Sequence, residues 1–231
     1  QINEASHAVR FKEEAGREIR EYAASAGVPC YGITLGDIGY NTANTDYTNA
    51  VFPLMKRAMQ AQKTGLPLFQ LMGNHDYEVI SVSKEEYTDA HDIAAQRNFE
   101  YAFGPINYSF DRGDVHIVAM DDMIFRNHDD YALGFRDDQV AWLAADLSFV
   151  PKEKMVILCT HMPLRDGTAQ NVQAVLDLLE QYSYHLCWDS LSDPSGISSG
   201  TTSIHLAGGR ELQTLVVQNG SGKMLLNGRV D

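Results

Sequence analysis

Three short apolar runs in this chain break off at polar residues of related chemistry, and no other pattern limits its fold so tightly. Residues 30–35 stop at Gly36-Asp37, residues 68–72 stop at Gly73-Asn74-His75-Asp76, and residues 155–160 deliver His161. A short apolar run bounded by turn signals fits a strand covered on both faces, and Gly73 lets the backbone turn sharply where the second run ends. Open α/β sheets place their ligands at the carboxyl ends of strands. In such a sheet Asp37, Asn74, His75, Asp76 and His161 become neighbours despite their separation in sequence. The 73–76 tetrapeptide alone also admits a blander reading, as polar residues capping a helix.

The rest of the chain supplies the other half of an α/β alternation. Ala8, Phe11, Ala15, Ile19, Tyr22 and Ala26 recur at spacings of three and four, predicting a helix over 4–26 that Gly27 and Pro29 end. Further helices are expected over 50–62, with Pro53 in the first turn, over 84–98, from 137 to before Pro151, and over 169–181. Residues 108–110 and 115–120, joined by Asp111-Arg-Gly-Asp114, read as a hairpin. Asp121 and Asp122 then read as solvated turn acids, or as the border of a pocket. Residues 126–134 read as an irregular surface loop, and 184–186 as a last short strand. This alternation predicts one α/β domain over 1–186. From 187 to 231 the character changes: Ser, Gly and Thr dominate 189–203, and short strands are expected at 214–217 and 224–226. That stretch reads either as the last sheet elements of the same domain or as the start of a second, small one.

Charge narrows the partners. The net charge of −13 would repel nucleic acid and anionic membranes. A small phosphorylated substrate stays compatible, because a bound cation reverses the local field. No run of ~18 apolar residues predicts a membrane span. Of the three cysteines, Cys30 and Cys159 lie in or beside apolar runs and read as small core residues. Cys159 stands two before His161, which also leaves open a Cys-based hydrolase. Oligomeric state is not written in the sequence.

Carboxylate, carboxamide oxygen and imidazole at three strand ends form a mixed oxygen and nitrogen donor set suited to Mn, Fe or Zn. Here the chain resembles a known family. Gly36-Asp37-Ile-Gly-Tyr, Gly73-Asn74-His75-Asp76 and Cys159-Thr160-His161-Met-Pro163 are similar to consecutive motifs of the calcineurin-like metallophosphoesterases. Residues 108–122 and Gln139-Val-Ala-Trp-Leu143 resemble the bacterial branch. The resemblance covers roughly 1–186. It implies a four-layer α-β-β-α sandwich and two divalent metal ions, with phosphomonoester or phosphodiester hydrolysis by a metal-bridging hydroxide. It also favours a periplasmic or secreted location. It makes Asp37 the bridging ligand, Asn74 and His161 ligands of the second ion, His75 the acid at the leaving oxygen, and Asp76 the group that orients His75. Arg165 could reach a substrate phosphate, or be an ordinary surface arginine.

Two family motifs are incomplete. Some members carry Asp-x-Gln on the first strand, and Gln1 could be its last position. The closing Gly-His-x-His is absent, since neither His185 nor His205 has the required neighbours. A loop omitted after Leu186, replaced ligands, or a non-catalytic binding or scaffold protein on the same fold would each explain this.

Overall fold

The computed structural model describes residues 17, 20–21, 24–25, 31–39, 42–46, 51, 53–56, 67–78, 83, 85–127, 130–162, 164, 169–182, 184–188, 200–206 and 210–216. Helices and strands are mixed, as in the α/β class. The chain divides into two compact units: Gln1–Asn107 with Asp121–Leu133, and Tyr108–Met120 with Gly134–Asp231.

In the first unit, β1 (Gly32–Thr34) and β2 (Leu68–Gln70) form a parallel pair with Gly32 opposite Leu68. A Cβ on Gly32 would lie 2.6 Å from Leu68 Cδ2, so a larger residue there would push the tip of the Leu68 side chain aside. The described parts of the first two expected helices, 17, 20–21, 24–25, 51 and 53–56, are helical. Helix α1 spans Asp89–Phe103, not 84–98. Thr88 is extended, its N–H donates to His91 Nδ1 (3.1 Å), and Gly104 at φ 99° ends the last turn. These caps outweigh the acidic run before them: residues 85–86 form a turn, with Ser83 Oγ donating to Glu86. Within the expected loop 126–134, residues 126–127 and 130–133 are strand rather than irregular. Strands β5 (Met123–Asn127) and β6 (Asp130–Leu133) make an antiparallel hairpin, irregular between Phe125 and Asn127. Ala95 and Phe99 of α1 are buried, as are Leu71, Met72, Tyr77 and Met123.

The second unit holds a four-stranded sheet ordered β3 (Tyr108–Arg112), β4 (Val115–Ala119), β7 (Met155–Cys159), β8 (Tyr184–Trp188). The expected hairpin is there: β3 and β4 are antiparallel, with Gly113 at φ 58° in the turn. β4, β7 and β8 run parallel, which demands crossovers. Helix α2 (Asp137–Leu147) lies between β4 and β7, and α3 (Val172–Leu179), shorter than expected, lies between β7 and β8. Gln139 caps α2 by accepting the Arg136 N–H (2.9 Å). Leu143 and Leu147 of α2 and Val172, Val175 and Leu179 of α3 are buried, with Val156 and Leu158 of β7. Each fully buried Val or Leu contributes about 1.5–3 kcal/mol. The tyrosine after α3 closes this layer, its Tyr182 hydroxyl donating to the Leu147 carbonyl. β8 continues through Cys187 to Trp188, so the compositional change after Leu186 is not a break in the sheet. β9 (Gly200–Leu206) and β10 (Arg210–Val216) form an antiparallel pair, and the strand expected at 224–226 lies outside the described residues.

Candidate functional site

Because β1 and β2 are parallel, the segments that follow them leave from the same edge. After β1 the chain passes through Gly36 at φ 96° and Asp37 at φ 58°. Two consecutive left-handed residues reverse the backbone within a few ångström, and Asp is among the non-glycine types that accept this conformation. After β2, Leu71 N–H donates to Thr34 O (3.1 Å), Gly73 is extended, and Asn74–Tyr77 form one 3₁₀ turn.

Side chains join these two turns. Asp76 is fully buried; its Oδ2 accepts the Gly73 N–H (2.9 Å) and its Oδ1 the Gly39 N–H (2.6 Å). His75 N–H donates to Asp37 Oδ1 (3.2 Å). Each motif therefore holds the backbone of the other. Burial pushes the Asp76 carboxyl up to about 7, against the lowering pull of the Gly73 and Gly39 N–H groups, and the nearby Asp37 carboxylate adds to the rise.

The acid at the His75 ring is Glu78, not Asp76. Glu78 Oε1 lies 2.5 Å from His75 Nδ1, a close contact without the alignment of a hydrogen bond, while both Asp76 oxygens accept backbone N–H groups. The reason is geometric: in a 3₁₀ turn residues i and i+3 eclipse, which brings Glu78 over His75. That spacing was available in the sequence as a signal. The contact points the Nδ1 side of the ring at a carboxylate, leaving Nε2 as the nitrogen on the opposite side of the ring.

Asn74 is tied in a different direction. Its Nδ2 donates to the hydroxyl of Tyr131 on β6 (2.9 Å). Tyr131 pairs across the hairpin with Phe125, ring centroids 5.4 Å apart, and Phe125 stacks on Tyr77 at 4.2 Å. The Tyr77 hydroxyl receives a hydrogen bond from Gln96 Nε2 (2.8 Å) and donates to Asp121 Oδ2 (2.5 Å). Asp121 and Asp122 are accordingly not solvated turn acids; both are fully buried. Asp121 also accepts the Met123 N–H (3.2 Å), so it starts β5 while anchoring Tyr77.

His161 belongs to the second unit, at the carboxyl end of β7, and is buried. The Thr160 hydroxyl donates to the Met162 carbonyl (3.0 Å) and shapes the turn that carries it. Cys159, one step back, is fully buried, as a small core residue would be. Gln1 and Arg165 lie outside the described residues, as do the side chains of His185 and His205.

The first unit thus gathers Asp37, Asn74, His75 and Asp76 on one edge. The donors it offers an ion there are oxygens, the Asp37 carboxylate and the Asn74 carboxamide, which fit one face of a Mn or Fe site and are acceptable to Zn. Among the described residues, no three His, Cys, Asp or Glu side chains gather around a common point. The chain was compared with models of known families and with curated proteins, and it matches none of them.

Proposed function

We propose that this chain is a metal-dependent phosphoesterase that hydrolyses a phosphomonoester or phosphodiester, on the four-layer fold of the calcineurin-like metallophosphoesterases that its motifs resemble. The observation that carries the reading is the mutual bracing of the two turns: Asp76 on Gly39 and Gly73, and His75 N–H on Asp37. A buried carboxylate committed to two loop backbones is a costly way to build a surface turn. It suits loops whose side chains must stay fixed.

Two divalent ions, Mn, Fe or Zn, would supply an activated water and screen the phosphoryl oxygens. Asp37 and Asn74 would hold them, with His161 as the nitrogen donor that the resemblance adds. The His75 backbone holds one Asp37 oxygen in place through its N–H. The His75 imidazole would give a proton to the departing alkoxide, with the Glu78 carboxylate close to its Nδ1 side. Asp76 would act on the backbone alone. A small phosphorylated substrate fits the strongly acidic chain only if cations stand at the site, consistent with this chemistry.

Hydrolysis of 4-nitrophenyl phosphate and bis(4-nitrophenyl) phosphate, with Mn²⁺ added and after chelation, tests the proposal. Turnover of either ester that chelator abolishes and Mn²⁺ restores is expected. Absence of turnover of both esters under every metal condition would leave a binding or scaffold protein instead.

A further inference from the structure

We propose that the exposed face of helix α1 is a self-association surface, on which a second copy of this chain docks antiparallel about a two-fold axis through Ile93. The inference is independent of the phosphoesterase reading. Ala95, Asn98 and Phe99 are the buried positions of α1. Asp89, Ile93, Arg97 and Tyr101 recur every four positions and are exposed, and residues four apart stand on one face of a helix. Ile93 is 48% exposed and Tyr101 62%, two of the five large apolar side chains left exposed among the described residues. Scattered singly, such residues need no partner; gathered on one helix face they mark a contact surface. A cleft of about 610 Å³ lies beside this face, between Ala90, Ile93, Ala94 and Arg97 of the helix and Asn44 and Thr45 of the segment after β1. Asn98 Nδ2 fixes that far wall by donating to the carbonyls of Thr42 (2.8 Å) and Asn44 (3.1 Å).

The charges on this face choose the occupant. Asp89 and Arg97 lie four positions to either side of Ile93. In a two-fold pair of antiparallel helices, a residue some positions before the axis faces the residue equally far after it on the other copy. With the axis at Ile93, that side chain meets its own counterpart, and Asp89 of each copy faces Arg97 of the other. Among the described residues neither Asp89 nor Arg97 makes a hydrogen bond or ion pair within its own chain, so both charges are open to a second copy. A purely acidic or purely basic partner would match only one of the two signs. Ala90 and Ala94 beside Ile93 carry little bulk, which suits helix axes about 8–10 Å apart. The net charge of −13 on each copy opposes association, but charges more than about 8 Å apart are largely screened at physiological salt. A 15-residue helix is about 22 Å long, so the pair buries less than a standard interface of about 1,600 Å² and makes a weak, concentration-dependent dimer.

Sedimentation velocity of the full chain at physiological salt, from about 5 to about 500 µM, tests this. The wild type should move from monomer towards twice the monomer mass across that range. Arg97→Asp sets carboxylate against carboxylate, and Asp89→Arg sets guanidinium against guanidinium. Each variant alone should associate at least about tenfold more weakly than wild type. Mixed in equal amounts, the two variants regain both opposite-charge contacts and should associate within about threefold of wild type. Ile93→Asp should stay monomeric throughout yet melt within about 2 °C of wild type, because its side chain is half exposed in the monomer. A wild type that is monomeric at the highest concentration would overturn the proposal. So would single charge variants or Ile93→Asp that associate as the wild type does, or charge variants that do not associate on mixing.

Discussion

Two buried ionisable groups, Asp76 and His116, are held in opposite ways. Among the described residues Asp76 meets no cation: its oxygens take the N–H groups of Gly39 and Gly73, and burial pushes its carboxyl up to about 7. His116, on β4, faces a carboxylate from each ring nitrogen, Asp111 Oδ1 at Nδ1 and Asp146 Oδ2 at Nε2, both 2.8 Å away. Lys154 Nζ stands 2.7 Å from Asp111 Oδ2, and Ser109 Oγ donates to Asp146 Oδ1 (2.7 Å). The His116 network stitches strands β3 and β4 to helix α2, each ring nitrogen matched to a carboxylate that a second group also holds. The Asp76 arrangement leaves its charge unmatched and uses it to hold two turns. Strongly perturbed titratable groups cluster at functional sites, which is why the proposed site is placed on the turns that Asp76 braces.

The largest expected effect lies on the Asp76 side of this contrast. His75→Ala should keep metal but lower kcat by about 10²–10⁴-fold, most for alkyl phosphates with poor leaving groups. Equal turnover of an alkyl phosphate by the variant and the wild type would remove the general acid from the scheme. Asp76→Ala orphans two buried N–H groups and should lower unfolding free energy by about 2–4 kcal/mol. It should also weaken Mn²⁺ binding, because Asp37 and Asn74 sit on the turns it braces. Retained Mn²⁺ affinity in a folded Asp76→Ala protein would erase the distinction between the two regions.

His116→Ala should cost about 1–3 kcal/mol in urea unfolding, since Asp146 loses its ring partner. It should leave Mn²⁺ affinity unchanged; a loss of metal here would show that matched burial is not merely structural. Asp111→Asn should have the smallest effect. The Lys154 ammonium first, and His116 second, hold the Asp111 carboxyl below the usual carboxylate range. A lowered folded value means stability that is present above the ordinary Asp value of ~3.9 and is lost as pH falls through the folded value. Melting temperatures should therefore separate wild type from Asp111→Asn at neutral pH, converge in acid, and converge also in high salt, as expected for a group this exposed.

How much of this was legible in the sequence depends on whether the cause was local. β1, β2 and β7, the 108–119 hairpin and α2 follow from apolar runs and turn residues that act within a few positions. α1 was misplaced because the polar run 84–88 resembles a helical surface, whereas Thr88 and Gly104 set its ends. The β5–β6 hairpin was hidden by the charged stretch from Arg126 to Asp130 and by the irregularity between Phe125 and Asn127. At the site, Asp37 with Asn74-His75-Asp76 could be grouped because parallel strands leave their ends together. Tyr131 could not be found, because it meets Asn74 across 57 positions through a hairpin read as a loop. The burial of Asp121 and Asp122 was equally invisible, since a two-acid strand end looks the same whether a tyrosine or water receives it.

Elemental analysis of the full chain, purified without chelator and after equilibration with Mn²⁺, Fe²⁺ or Zn²⁺, tests the central claim most directly. About two equivalents of bound metal are expected from a two-ion phosphoesterase, falling in Asn74→Ala and His161→Ala. Metal below a tenth of an equivalent under all three conditions would contradict it.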